Sequence, residues 1–151
     1  MSLLLRPWAD TDATDLAAAL TDPDVLSWTR LPAATEETAL AWIATQHANR
    51  AAGTRYSFAV IRDGHAIANV ALKLPAAEVA YWTAAPARGQ GVASRALAKL
   101  TTWAFTRFGM ESLALLHRAG NEASCGVARR AGYPLVSDPD GHHRHVRERP
   151  R

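Results

Sequence analysis

One cysteine, Cys125, stands in the whole chain, so no internal disulfide can form and no thiol pair marks a zinc site. That fits a reducing compartment. Long apolar runs are also missing: Leu3-Leu4-Leu5 is broken at once by Arg6-Pro7, far short of a signal core or a membrane span. A soluble, non-secreted, cytoplasmic protein is therefore expected, with no membrane partner. The chain shows no internal repeat, low-complexity run or linker. It also lacks an RNP motif, a zinc finger and a helix-turn-helix, which leaves no element for direct nucleic-acid readout. With 151 residues, 48% of them hydrophobic and 21% charged, there is material for one substantial core but not for two, and residues 1–151 are read as a single domain.

The net charge of +3 and the pI near 9.5 point the other way, toward an anionic partner. Much of the excess sits in Arg144, Arg147, Arg149 and Arg151, however, and a basic tail reads as a solvated end. Nucleic acid remains a minor reading.

A short strand is expected around residues 3–6. Asp10 or Thr11 then caps a helix with apolar positions at Ala13, Leu16, Ala17 and Leu20, running to Pro23. Residues 25–32 form an aromatic connector carrying Trp28. Thr35, followed by Glu36 and Glu37, caps a second helix with the stripe Leu40, Ile43, Ala44, His47 and Ala51, closed by Gly53. Residues 55–61 and 66–74 make a hairpin about Asp63-Gly64, and 78–83 make a third strand. A central helix over 92–108 carries Arg95, Lys99, Thr102 and Thr106 on one face and Ala96, Leu97, Leu100 and Trp103 on the other, and ends at Gly109. The strand at 112–117 follows a helical crossover and should lie parallel to 78–83. Asn121 opens a last helix closed by Gly132. Residues 133–136 and 142–147 then form a final hairpin about Asp138-Pro139-Asp140-Gly141.

The chemistry gathers in Tyr81 to Leu97, YWTAAPARGQGVASRAL. A helix N-terminus offers unsatisfied N–H groups and partial positive charge, and glycines let phosphate approach the backbone. Arg88, Gly89, Gln90, Gly91, Val92 and Ala93 thus read as a pyrophosphate cradle or, more plainly, as a tight turn with a surface arginine. A dinucleotide fingerprint is excluded, because Ser94 stands at its third glycine and the loop from Thr83 is long and carries Pro86.

With Arg88-x-x-Gly91-x-Ala93 in its midst, this stretch resembles the acetyl-CoA motif of the Gcn5-related N-acetyltransferases (GNAT). Leu5-Arg6-Pro7, Asn121-Glu122-Ala123-Ser124 and Arg130-Ala131-Gly132-Tyr133 resemble the RimJ/RimL-like subgroup that acetylates ribosomal-protein N-termini. The resemblance runs to about Tyr133. It implies an α/β (α+β) fold: a mixed central sheet with a splayed parallel strand pair and helices on both faces. It also implies acetyl-CoA as co-substrate. Backbone at Tyr81, Trp82 and Thr83, facing residues 115–117, would pair with the pantetheine like an extra strand, and the N–H groups of Gly89 to Ala93 would meet the pyrophosphate.

In similar acetyltransferases the residue at Asn121 contacts pantetheine, although Asn121 also reads as a simple N-cap. The Ser124 position faces the CoA sulfur, where a hydroxyl helps the thiolate leave. Glu78, the sole acid on its strand, is the candidate base for the attacking amine, with His117 as runner-up; each also reads as a structural residue. Trp28 is a candidate acceptor contact or a core aromatic. His143 and His145 would share a strand face, but no acid or cysteine is seen to complete a site, and no metal is expected. Cys125 is expected to pack as a small apolar residue.

The expected function is direct acetyl transfer to a primary amine, on a protein N-terminus or a small molecule, in a ternary complex. The alternatives are a non-catalytic acyl-CoA sensor and, third, toxin-type acetylation of charged tRNA. Monomer and homodimer both stay open. The C-terminal HHRHVRERPR is polar where the family's last strand is usually apolar, so whether it forms that strand is left open.

Overall fold

Alternation of apolar side chains in two successive segments, joined by two residues able to adopt positive φ, builds the first part of the sheet. The computed structural model, which describes residues 2–118, 122–137 and 142–151, places β1 at Leu4–Pro7, β2 at Arg55–Arg62 and β3 at His65–Lys73. Asp63 (φ 52°) and Gly64 (φ 81°) close the β2–β3 hairpin, the left-handed pair that a two-residue turn requires. Strands β4 (Glu78–Thr83), β5 (Ser112–Arg118), β6 (Leu135–Ser137) and β7 (His142–Glu148) complete a sheet ordered β1-β2-β3-β4-β5-β7-β6. Every pairing is antiparallel except β4 with β5. Those two strands are joined through helix α4 (Val92–Phe108), the crossover that parallel neighbours need.

Because side chains alternate across a strand, the sheet feeds two cores. Phe58, Val60, Val70, Leu72, Val79, Leu113 and Leu115 face α4 and α5 (Glu122–Arg130). Ala59, Ile61 and Trp82 face the other way, against α1 (Ala13–Ala19), α2 (Pro23–Thr29) and α3 (Glu36–Ala52). Helix α4 buries Val92, Ala96, Leu97, Leu100, Ala104 and Phe105, and removing a side chain such as Leu100 would cost about 2–5 kcal/mol. On the opposite face Trp8, Trp42 and Trp82 pack with centroids 5.3 to 6.4 Å apart, and Trp8 Nε1 donates to Asn69 Oδ1 at 2.9 Å. No helix among the described residues is long and apolar enough to cross a membrane.

Three expectations need correction. The aromatic connector is helix α2: Asp22 accepts from the Asp24 N–H at 2.8 Å and Pro23 sits at the first helical position, so Pro23 starts a helix as well as ending one. Helix α3 begins at Thr35 as expected, but its buried stripe is Ala39, Trp42, Ile43 and Gln46, while Leu40 is exposed. The tryptophan cluster captures Trp42 and turns the helix accordingly. Finally, the basic end is not a solvated tail: it is the strand read over residues 142–147, here β7, paired with β6 and with β5 from Ser112↔Glu148 to Arg118↔His142. Its charges are accommodated locally: Arg147 donates to the Ala131 carbonyl at 2.7 Å, and Arg149, just beyond the strand, to that of Gly109 at 3.1 Å. Asn121 and the turn at 138–141 lie outside the described residues.

Candidate active site

Strand β4 keeps its full ladder with β3, yet meets β5 only at Glu78↔Ala114 and Val79↔Leu115. Past Val79 the parallel pair parts, and the edge of β4 over residues 80–83 faces a gap. The gap opens into a cleft of 1140 Å³ whose walls include Trp28, Tyr81, Thr83, Leu116, Gly91 and Ser124. That is a little above the roughly 300–1,000 Å³ usual for small-molecule sites.

At one end of the cleft, Gly91 caps α4 in the left-handed region (φ 76°), after Gly89 at φ 74°. Space beside Gly89 is open, and a Cβ on Gly91 would meet only Arg95 Cδ at 3.8 Å. The glycines therefore serve backbone conformation and leave the N–H groups opening α4 approachable. Val92 and Ala93 both line the cleft, and the Val92 side chain is otherwise buried in the core. Arg88 bends toward the protein: Nε donates to the Thr83 carbonyl at 3.1 Å and Nη1 pairs with Asp22 at 2.8 Å, which helps hold the Asp22 carboxyl below its usual range after the stronger Asp24 N–H bond. Gln90 is also engaged elsewhere, accepting from Arg62 at 2.7 Å and donating to the Pro86 carbonyl at 3.0 Å.

In the middle of the cleft the Tyr81 hydroxyl lies 2.8 Å from Ser124 Oγ, in the first turns of α5. Burial pushes the Tyr81 phenol up, against the smaller opposite pull of the Ser124 bond, so the phenol is protonated at neutral pH. Trp82 contributes only its backbone here, because its ring is in the tryptophan cluster.

Glu78 and Ala80 point to the opposite sheet face from Tyr81 and line an adjoining cavity of 670 Å³ with Trp28, Trp42, Gln46 and Arg55. The two cavities share Trp28, Val79, Ala80 and Leu116, which places them on the two sides of the parted strands. Glu78 is 3.9 Å from Lys73 Nζ. Arg55 stacks over the Trp28 ring at 5.5 Å; burial lowers the pKa of its guanidinium, and its Nε has no hydrogen-bond partner. Arg55 is not legible as a site residue in the sequence, since an arginine opening a strand carries no signal of its own.

The family model for the acetyltransferase (GNAT) domain matches residues 2–134. The chain belongs to the GNAT acetyltransferases. Among curated GNAT relatives, the Bacillus subtilis (strain 168) protein named "Putative ribosomal N-acetyltransferase YdaF" is 37% identical over 57 residues, which is 38% of this chain and 31% of that protein. The chain thus aligns with about a third of the length of this curated relative. Mycobacterium smegmatis RimJ, solved with a CoA disulfide, superposes with a TM-score of 0.79 at 21% identity over 97% of this chain and 81% of its own. The Salmonella typhimurium acetyltransferase that modifies the N-terminal serine of ribosomal protein L7/L12 gives 0.80 at 17% identity, covering 99% and 96%. These likenesses establish the GNAT fold, mixed sheet and parallel pair included.

His117 falls outside the acceptor-side cavity. It lies on the α5 side of β5, 8% exposed, with its ring 3.2 Å from Cys125 Sγ and 2.9 Å from His145 Nε2. The expectation that no cysteine completes a histidine site is corrected here: His117, Cys125, His143 and His145 meet with all ligand atoms within 4.8 Å. His143-x-His145 was visible as one strand face, but only folding brings α5 and the end of β5 to it.

Proposed function

We propose that this chain is an acetyl-CoA-dependent N-acetyltransferase that transfers acetyl directly to a primary amine in a ternary complex. The observation that carries this reading is the parting of β4 from β5 beside the N-terminus of α4. An elongated thioester can add to the free edge of β4 like a strand, with its pyrophosphate on the N–H groups of Gly89 to Ala93. The open space at Gly89 and Gly91 fits that approach.

On this reading the amine enters from the Trp28–Arg55–Glu78 side, opposite Ser124. The acceptor amine is mostly ammonium at neutral pH and must lose a proton before or during attack, and the Glu78 carboxylate receives it directly or through water. The nitrogen bonds to the carbonyl carbon, and a strand N–H near Trp82 or Thr83 stabilises the oxyanion. As the carbon–sulfur bond breaks, Ser124 delivers a proton to the leaving thiolate, with Tyr81 behind it to restore that proton. The products are the N-acetylated amine and free CoA thiol. A protein N-terminus is the favoured acceptor, on the strength of the RimJ-type likeness and an open, polar-lined acceptor side. The charged-tRNA reading ranks third, because none of Arg144, Arg147, Arg149 and Arg151 lines either cavity.

Incubating the protein with acetyl-CoA and a panel of N-terminal peptides, free amino acids, polyamines and charged tRNA, with free thiol as readout, tests this. Thiol release that depends on an N-terminal peptide is expected. Acetyl-CoA binding without release for any acceptor would instead identify an acyl-CoA sensor.

A further inference from the structure

We propose that His117, Cys125, His143 and His145 bind one divalent transition-metal ion, zinc by its donor chemistry, which clamps α5 to strands β5 and β7. The four come from three elements, and their ligand atoms all lie within 4.8 Å of one another. Cys125 Sγ is 3.2 Å from His117 Nε2, 3.3 Å from His143 Nδ1 and 3.6 Å from His145 Nε2, and the last is 2.9 Å from His117 Nε2. A tetrahedral zinc with ordinary bond lengths spaces its ligand atoms by about 3.3 Å for two nitrogens and about 3.6 Å for nitrogen and sulfur. Along these four edges shifts of a few tenths of an ångström suffice, and the two edges from His143 Nδ1 to the other imidazoles lie within the 4.8 Å span.

The orientation of His145 is the second observation. Its Nδ1 lies 2.9 Å from the Tyr133 carbonyl oxygen, which can only accept, so Nδ1 carries the proton and Nε2 points its lone pair into the cluster. An imidazole held by a backbone carbonyl with its other nitrogen turned to a ligand centre is the usual outer support of a metal-bound histidine. Binding releases the Cys125 thiol proton to solvent, leaving a thiolate and three neutral imidazoles, a donor set that suits zinc. Half-buried His143 gives the ion a way in from solvent.

Four protein ligands leave no open position, so the ion is structural and takes no part in acetyl transfer. It holds the start of α5, and with it the neighbour of Cys125, Ser124, against the cleft wall. It also accounts for two polar residues, His143 and His145, on the inward face of β7.

The test uses the full chain, freed of any affinity tag, reduced with a phosphine and stripped with chelator, then titrated with zinc chloride and cobalt chloride. About one equivalent of zinc per chain is expected, with a rise in Tm. Cobalt should give a thiolate charge-transfer band and intense tetrahedral ligand-field bands. Cys125→Ser should lose the charge-transfer band, and Cys125→Ser and His143→Asn should each bind zinc at least about a hundredfold more weakly, while exposed His65→Ala should match the wild type. His143→Asn, at a half-buried position, keeps the question answerable should Cys125→Ser fail to fold. No uptake by folded, reduced wild type, a cobalt spectrum without the thiolate band, or unchanged affinity in a folded variant overturns the proposal and leaves the four as a hydrogen-bonded cluster. None of these readouts depends on acetyl transfer.

Discussion

Tyr81 Oη and Ser124 Oγ, 2.8 Å apart, join the parted strand β4 to helix α5 across the cleft. This is the only side-chain bridge between β4 and α5 among the hydrogen bonds described. Ser124→Ala is expected to lower kcat by about ten- to a thousandfold with acetyl-CoA affinity nearly unchanged, because the hydroxyl is needed as the thiolate forms. Tyr81→Phe should lower kcat less, and the double variant should fall short of the summed effects, since the two hydroxyls act as a unit. Steady-state kinetics and calorimetry on the three variants check this; an unchanged kcat in Ser124→Ala removes the leaving-group role.

Gly91→Asp should abolish acetyl-CoA binding, as it sets a negative charge where the pyrophosphate must meet the N-terminus of α4. Gly91→Ala separates strain from charge: with φ at 76° it should cost about 1 kcal/mol of stability and weaken binding far less. Calorimetry on both folded variants distinguishes them. Equal affinity in Gly91→Asp and wild type would move the phosphates elsewhere.

Glu78→Gln keeps shape and removes basicity. Its kcat/KM should fall most at neutral pH and recover partly at alkaline pH, where the amine deprotonates unaided. Thermal stability should change little, because the Lys73 partner is 3.9 Å away and partly exposed. Superimposable pH–rate profiles on one acceptor, with acetyl-CoA saturating, would assign deprotonation to water.

Arg6 grips Asp12 with two hydrogen bonds of 2.7 and 2.8 Å, and the Ala9 N–H adds a third at 2.9 Å. Burial pushes the Asp12 carboxyl up, but these three bonds outweigh it and the net pKa lies below the ordinary 3.8. A depressed folded pKa stabilises above the unfolded value and is lost as pH falls through the folded one. Stability should therefore decline below about pH 4. Asp12→Ala should remove about 2–3 kcal/mol at pH 7, since it leaves Arg6 unpaired at a partly buried site, and should flatten that acid limb. Denaturant melts from pH 2 to 7 measure both.

Much of the frame is legible locally. Asp63-Gly64 makes its hairpin, β4 begins and ends at Glu78 and Thr83, α4 spans Val92–Phe108 and stops at Gly109, all as pattern and turn chemistry require. The Arg88-x-x-Gly91-x-Ala93 loop is likewise readable, because a helix N-terminus with glycines before it is a property of one continuous stretch. Helix α2 is hard to read for a local reason: Pro23 both ends α1 and, within Asp22-Pro23-Asp24, starts the next helix.

The sequence by itself determined the family, the element order apart from α2, and the glycine-flanked N-terminus of α4, since each rests on neighbours within a few residues or a few turns. Tertiary structure decided which groups face one another. It bent Arg88 onto Asp22, put Arg55 over Trp28, and brought Cys125 to three histidines from two strands. It also placed β7 between β5 and β6 rather than at the sheet edge. Those outcomes depend on sheet order and helix rotation, which follow from how two cores fill on the two faces at once, and no local spacing encodes that.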